Sequence, residues 1–351
     1  MIEITQKNQK ILDLFLQYNL LSSSEVHGHL SQEGEEMSLV TVKRELSRMA
    51  ALELLNVSGR GRSRAYGIGM LGRVFSKVNA SSYNAIEPDK RYGLAGFNFD
   101  LLPSFPLYIF TSAELATLEE ATSEYHGRTA NLPQAIEKKE LERLIIELSW
   151  KSSKIEGNTY TLLDTERLIL EHKEAFGHDK KEARMILNHK DAFTFVYENK
   201  KEFRALTRAN LEQLHSILVK DLSVDTGLRE KPVGVIGSKY RPLDNVHQIR
   251  EAVEALAAAI ARVETPYTKA LLALLGISYI QPFDDGNKRT ARIMANAILL
   301  AYYCAPLSYR SVEEKDYREA TLVFYEVNSI VPLKNIFIEQ YVFAAKNYAA
   351  K

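Results

Sequence analysis

The sequence of 351 residues holds little of several things. It has one cysteine, Cys304. That excludes an intramolecular disulfide, a zinc finger and an iron–sulfur cluster, and it favours a reducing compartment. It has no excess charge: Lys and Arg number 45, and so do Asp and Glu. A wholly basic nucleic-acid coat and an acidic tail are both excluded, which leaves only local basic patches. Long apolar runs are missing too. The longest, Leu271–Ile280 and Ala297–Ala305, are too short to span a bilayer. Met1–Lys7 lacks the basic-then-apolar order of a signal peptide. The sequence contains no G-x-x-x-x-G-K-[ST], no H-E-x-x-H, no repeat and no low-complexity tract. These absences predict a soluble, cytoplasmic protein with no membrane partner.

What is present is a chain long enough for two or three domains, each with an unstapled core. Hydrophobic residues make up 46% and charged ones 26%, as in ordinary globular proteins. Residues 1–72 read as three short helices and a hairpin. The helices are Gln6–Tyr18, a second opened by Ser22-Ser23-Ser24-Glu25, and Leu39–Leu52 capped by Ser38. Leu54–Val57 and Arg64–Tyr66 follow as strands. This order resembles a winged helix-turn-helix. Its third helix and wing carry Lys43, Arg44, Arg48, Arg60, Arg62 and Arg64 against only Glu45 and Glu53, which makes DNA an expected partner. Docking of a protein is the competing use.

Residues 73–112 read as a connector, broken by Pro88, Pro103 and Pro106. Phe97, Phe99, Phe105, Tyr108 and Phe110 are its expected anchors. Residues 113–351 read as mainly α-helical, the exception being a small β-hairpin over Lys231–Tyr240, where Val233, Gly234, Val235, Ile236, Gly237 and Ser238 lie. Gly67-Ile68-Gly69-Met70-Leu71-Gly72 matches G-x-G-x-x-G but follows a wing strand with no βαβ unit around it, so it is not read as a dinucleotide site.

Chemistry concentrates in Gln281-Pro282-Phe283-Asp284-Asp285-Gly286-Asn287-Lys288-Arg289-Thr290-Ala291-Arg292. A loop bracketed by Pro282 and Gly286 leads into a helix whose free amides attract anions. Arg289 and Arg292 are three apart and share a face. Asp285 supplies a carboxylate of the kind Mg²⁺ accepts beside substrate phosphates. Amides, two arginines and one carboxylate describe a triphosphate–metal cradle.

This stretch resembles the Fic family signature, His-x-Phe-x-(Asp/Glu)-Gly-Asn-(Gly/Lys)-Arg-x-x-(Arg/Lys). Gly227-Leu228-Arg229, Leu187–Phe193 and Leu214-His215 also look like family segments. The resemblance implies a Fic-type helical bundle that moves AMP from ATP to a Ser, Thr or Tyr hydroxyl of a target protein or of the chain itself. It implies roles residue by residue. Asp285 would hold Mg²⁺. Gly286 and Asn287 would form the anion cradle. Arg289 would meet the β-phosphate and Arg292 the γ-phosphate, and Phe283 would fix the loop. The 231–240 hairpin would align the target as an added strand, and Tyr317–Pro332 would contribute to the adenine side. A homodimer is a further expected partner.

The chain departs from the signature at Gln281, where the family has histidine. A carboxamide is no general base near neutral pH, so transfer is expected to be weak or absent. The alternative is a degenerate ATP-binding sensor acting as a transcriptional regulator through the winged helix; transfer of a different group ranks third. Upstream, Ser152, Glu156 and Gly157 resemble the family's inhibitory motif, (Ser/Thr)-x-x-x-Glu-(Gly/Asn), on a helix within 137–158. By that resemblance Glu156 pairs with Arg292 and occupies the γ-phosphate position. The logic also stands by itself, because a carboxylate and a phosphate compete for one guanidinium.

Overall fold

A computed structural model of the protein describes residues 4–349. The chain divides into two compact units. The first comprises residues 1–106, 235–241 and 319–333; the second comprises 107–234, 242–318 and 334–351.

The first unit opens with α1 (Gln6–Gln17), β1 (Leu21–Ser22), α2 (Ser23–Gln32), α3 (Leu39–Ala51), β2 (Leu55–Ser58) and β3 (Ala65–Ile68). The caps follow from side-chain chemistry. The Thr5, Ser22 and Ser38 hydroxyls accept from the amides of Asn8, Glu25 and Thr41, one orphan donor at each helix start. The strands form an antiparallel sheet in the order β1-β3-β2, with Tyr66 opposite both Leu21 and Val57. Ile11, Leu14 and Phe15 of α1 and Val42, Leu46 and Met49 of α3 are buried at helical spacing.

The connector is not plain coil. It holds the end of α4 (Met70–Phe75) and all of α5 (Ala80–Asn84), both short enough to escape an 11-residue periodicity window. Phe105 and Phe110 are buried as expected, but Phe99 and Tyr108 are exposed. Leu101, Leu102 and Ile109 are buried instead: aliphatic residues between the aromatics take the anchoring role. Leu16, Val78, Tyr83, Val323 and Val327 form one core of this unit.

The second unit contains α6 (Ser112–Thr129), α7 (Gln134–Ile155), α8 (Leu162–Glu171), α9 (Lys180–Glu198), α10 (Arg208–Leu218), α11 (Val246–Arg262), α12 (Pro266–Ile280) and α13 (Asn287–Ala301). Helices α14 (Glu314–Val327) and α15 (Val331–Asn347) each contribute residues to both units. Helix α12 is apolar nearly all round and buried throughout, the pattern of a central helix. It packs against α11 and α13, and α13 in turn against α9 and α10. Ile146, Tyr160, Leu168, Ile169, Ala183 and Ile186 form a second core where α7, α8 and α9 meet.

The expected hairpin over 231–240 is corrected. The segment has no strand. Pro232 removes a ladder donor. The Ser238 amide closes a turn on the Val235 carbonyl at 3.2 Å, and the Arg241 amide leaves the segment to reach the Ala95 carbonyl at 2.8 Å. With its backbone groups used locally or by residues 95–96, the segment forms a turn without a ladder. Among the described residues no helix is long and apolar enough to cross a membrane.

Candidate functional site

Helix α12 ends at Gln281, which takes left-handed geometry (φ 52°). The loop 281–286 then reverses the chain into α13. Asn287 staples this loop: its Oδ1 accepts from the Phe283 amide at 2.9 Å, and its Nδ2 donates to the Phe283 carbonyl at 2.7 Å. The Asn287 side chain thus holds the loop's shape, which leaves backbone amides to form any cradle. Phe283 is fully buried and stacks on His215 of α10 with ring centroids 3.7 Å apart. The His215 Nε2–H donates to the Asp285 carbonyl at 3.0 Å. That bond fixes the tautomer. Burial pushes the ring's pKa down to about 4, so it is neutral at pH 7. Gly286 caps α13 at φ 78°; a Cβ there would sit 3.2 Å from Val219 and 3.5 Å from the Arg289 guanidinium. Glycine therefore leaves the mouth of the helix open.

The Gln281 side chain is turned into the loop. Its Nε2 donates to the Ser278 carbonyl at 2.6 Å, and its Oε1 accepts from Asn287 Nδ2 at 3.1 Å. Its carbonyl accepts from Arg229 Nε at 2.6 Å. Buried Arg229 also donates to the carbonyls of Lys231 and Leu243. One guanidinium therefore ties the loop to Lys231 and Leu243.

The two arginines of α13 live differently. Arg289 is buried, 3.1 Å from the Asp285 carboxylate, whose own side chain is 66% exposed. Burial lowers the Arg289 pKa, and the nearby Asp285 and Glu156 carboxylates offset this only in part. Arg292 is fully buried. Its Nε donates to Ser152 Oγ at 2.8 Å and its Nη2 to the Ser152 carbonyl at 2.9 Å. Nη2 also lies 2.9 Å from Glu156 Oε1, and the guanidinium sits over the Tyr317 ring at 5.6 Å. Helix α7 ends at Glu156, followed by Gly157 at φ 96°; this termination delivers the carboxylate. Burial alone would raise the Glu156 carboxyl, but Arg292 and Lys288 outweigh it and hold it below the usual range. Lys288 Nζ is 3.6 Å from Glu156 Oε2.

The structure thus brings Ser152, Glu156, Asp285, Gly286, Asn287, Arg289, Arg292 and Gln281 into one unit around one loop. It does not keep the flap residues together: Val233 and Gly234 fall in this unit, and Val235, Ile236, Gly237 and Ser238 in the first. Lys43, Arg44, Arg48, Arg60, Arg62 and Arg64 are all exposed in the first unit, with Arg48 paired to Glu45 at 2.8 Å. The sequence reading placed His215, Lys288 and Arg229 in segments that resemble the family, but gave none of them a role in the site. Among the described residues no group of three or more His, Cys, Asp or Glu could hold a metal. An exposed single carboxylate at a helix mouth still fits Mg²⁺ that is held mainly by substrate phosphates.

Comparison with known proteins fits this geometry. Residues 205–299 match the Fic/DOC family model. The protein adenylyltransferase Fic of Nematostella vectensis is 28% identical over 185 residues, which are 48% of this chain and 41% of that protein. The chain thus spans less than half of that relative. A Fic domain-containing signaling protein from Bacteroides thetaiotaomicron superposes with a TM-score of 0.54 at 18% identity, covering 66% of this chain and 94% of that one. Fic-1 (residues 134–508) from C. elegans gives 0.58 at 15% identity, covering 68% and 72%. By the matched segment and the shared fold, the chain is similar to Fic-domain proteins.

Proposed function

We propose that this Fic domain transfers AMP from ATP to a protein hydroxyl and that Glu156 holds it off. The observation that carries the reading is the Glu156 carboxylate 2.9 Å from the buried Arg292 guanidinium, inside an otherwise phosphate-shaped loop. Backbone amides at the start of α13 suit the phosphate chain, and Arg289 suits its middle. Asp285 would hold Mg²⁺, which when bound neutralises phosphate charge. In the reaction a hydroxyl oxygen bonds to the α-phosphorus, the bond to the β-phosphate bridge oxygen breaks, and pyrophosphate leaves. The hydroxyl proton needs an acceptor. Gln281 cannot be one; it can only orient groups, and both ends of its amide already have partners. The chain as it stands therefore transfers slowly.

The test is Glu156→Gly. ATP affinity by calorimetry should rise at least about tenfold, since the carboxylate no longer competes for Arg292. With Gln281→His added, incubation with Mg²⁺ and ATP should add the mass of AMP. Unchanged affinity together with no added mass sinks the proposal.

A second reading, a nucleotide-responsive regulator acting through DNA, is favoured by Gln281 being locked into the loop. It is supported by α1, α2 and α3 with the three-stranded β1-β3-β2 sheet, in which β2 and β3 follow α3 as a wing follows in a winged helix-turn-helix, and by six exposed basic residues on α3 and the β2–β3 segment. On this reading duplex affinity falls steeply with salt, and Arg60→Ala with Arg62→Ala flattens the log–log slope by about 2. A slope near zero in the parent chain argues for protein docking instead.

A further inference from the structure

The far end of α13 borders a cavity that the phosphate chemistry does not use. The cavity holds about 260 Å³ and lies wholly within the second unit. Its walls include Tyr125 and Thr129 of α6, Leu300 of α13, Tyr303 and Cys304 just after it, and Lys200 at the start of a short helical turn. Leu300 and Asn287 stand at opposite ends of α13, about 20 Å apart at the ordinary helical rise. The cavity is therefore separate from the loop that precedes Asn287.

The end of α13 is shaped for this wall. The Cys304 amide donates to the Leu299 carbonyl at 2.9 Å and the Tyr303 amide to the Leu300 carbonyl at 3.1 Å. That pair of bonds puts the residue between them in left-handed geometry, where glycine is usual. Here it is Tyr303, at φ 61°. Glycine would end the helix with less strain. The tyrosine ring supplies what glycine cannot: a wall of the cavity and a face for Lys200. The His126 Nε2–H donates to the Tyr303 carbonyl at 2.6 Å and holds that wall.

Two donors meet this space without a partner. Lys200 Nζ lies 5.3 Å from the Tyr197 ring centre and 5.9 Å from that of Tyr303. The rings offset part of its lost hydration, yet among the described residues no carboxylate pairs with it. Tyr125 is 3% exposed, and its hydroxyl makes no hydrogen bond among the described residues. Buried hydroxyls are ordinarily satisfied, so whatever fills the cavity meets this one. Other polarity is spent or absent. The Thr129 hydroxyl donates to the Tyr125 carbonyl at 2.9 Å. Leu300 and Cys304 are buried, and no Asp or Glu lines the space.

We propose that this cavity binds a small carboxylate whose apolar body is about the size of one aromatic ring. The volume falls just under that of drug-sized sites. The body packs on Leu300, Thr129 and Cys304. The carboxylate pairs with Lys200, and the Tyr125 hydroxyl donates to an oxygen of the ligand. The site stands whether or not the chain transfers AMP.

The test uses calorimetry and methyl NMR on the full chain, with phenylacetate as probe and phenethyl alcohol as its uncharged counterpart. Phenylacetate should bind at about 1 mM or tighter, and its ring should show cross-relaxation with the Leu300 and Thr129 methyls. The alcohol should bind about tenfold more weakly. Lys200→Gln should weaken the acid about tenfold and leave the alcohol within about twofold, so retained alcohol binding also shows that the variant is folded. Absence of phenylacetate binding, or binding without contact to those methyls, overturns the site. Equal affinity for acid and alcohol, or an affinity for the acid that Lys200→Gln does not move, overturns the carboxylate.

Discussion

The two ends of the 281–292 segment make opposite use of the same chemistry. At Arg292 a buried guanidinium is met by the chain's own groups: the Ser152 hydroxyl and carbonyl, and the Glu156 carboxylate. At Arg289 the partner is Asp285, a carboxylate facing solvent, and the loop around it is shaped by backbone bonds and Asn287. One end is filled from within; the other is preorganised and open. A carboxylate copies one phosphate well, since it offers a guanidinium two charged acceptors. It cannot copy a chain of three. On the reading proposed above, this self-occupation blocks one position of a long ligand and leaves the rest of its cradle formed.

The largest effect expected is on chemistry at the open end. Gln281→His in the Glu156→Gly chain should raise AMP transfer by about 10²–10⁴-fold, the usual contribution of a positioned base. The intact-mass time course measures it. If the histidine brings no gain while ATP still binds, the open end is not arranged for transfer, and the comparison reduces to two ways of binding nucleotide.

Acidity separates the ends next. His215 lies beneath the open end and has a pKa near 4 because it is buried, against about 6.5 in an unfolded chain. As pH falls the unfolded chain takes the proton first. The stability from this group is whole above about 6.5 and is lost progressively down to about 4, on the order of 3 kcal/mol. Glu156 behaves otherwise: its carboxyl is held below the usual 4.5, so its contribution persists above that value and fades only as pH falls through the depressed one. As pH falls from about 6.5 towards 4.5, His215 and buried His189, which burial and the nearby Arg292 and Arg289 also push down, both destabilise the fold, while Glu156 keeps its contribution. Urea melts at pH 7 and pH 4.5 should show a loss that His215→Gln reduces by about 2–3 kcal/mol and Glu156→Gln leaves in place. A loss abolished by Glu156→Gln would reverse the assignment.

The closed end and the loop were legible in the sequence to different depths. Asp285, Gly286, Arg289 and Arg292 sit at fixed short spacings on one loop and helix, so local geometry alone gathers them. The pairing of Glu156 with Arg292 spans 136 residues in sequence; periodicity carries no such distance, and only the family resemblance pointed to it. The flap failed for a related reason. Val233, Val235 and Ile236 between glycines have strand-like composition, yet the Arg241 amide and the Gly237 carbonyl are taken by Ala95 and Arg91, distant in sequence. Composition reports what a segment could pair with, not which partner reaches it first. His215 lies in a segment that resembles the family, but its role was not legible, because a histidine on an amphipathic helix looks like core until Phe283 and the Asp285 carbonyl are seen beside it.

The smallest effect expected is the most discriminating about what restrains the closed end. Glu156 has two cations near it: Arg292 at 2.9 Å, fully buried, and Lys288 at 3.6 Å, with a third of its side chain exposed. Distance alone ranks them only slightly apart; environment separates them widely. An exposed lysine pair is screened and spends side-chain entropy, so it contributes about 0–1 kcal/mol. The buried guanidinium has no water to replace its carboxylate, so that contact keeps its strength. Lys288→Ala should therefore change ATP affinity by less than about fivefold, measured by the same calorimetry. Its half-buried position at the helix start makes a folding defect an unsuitable explanation for any larger change. A gain rivalling that of Glu156→Gly would mean that the surface cation holds the carboxylate in place, and that the closed end is closed by a contact salt can loosen rather than by the buried arginine.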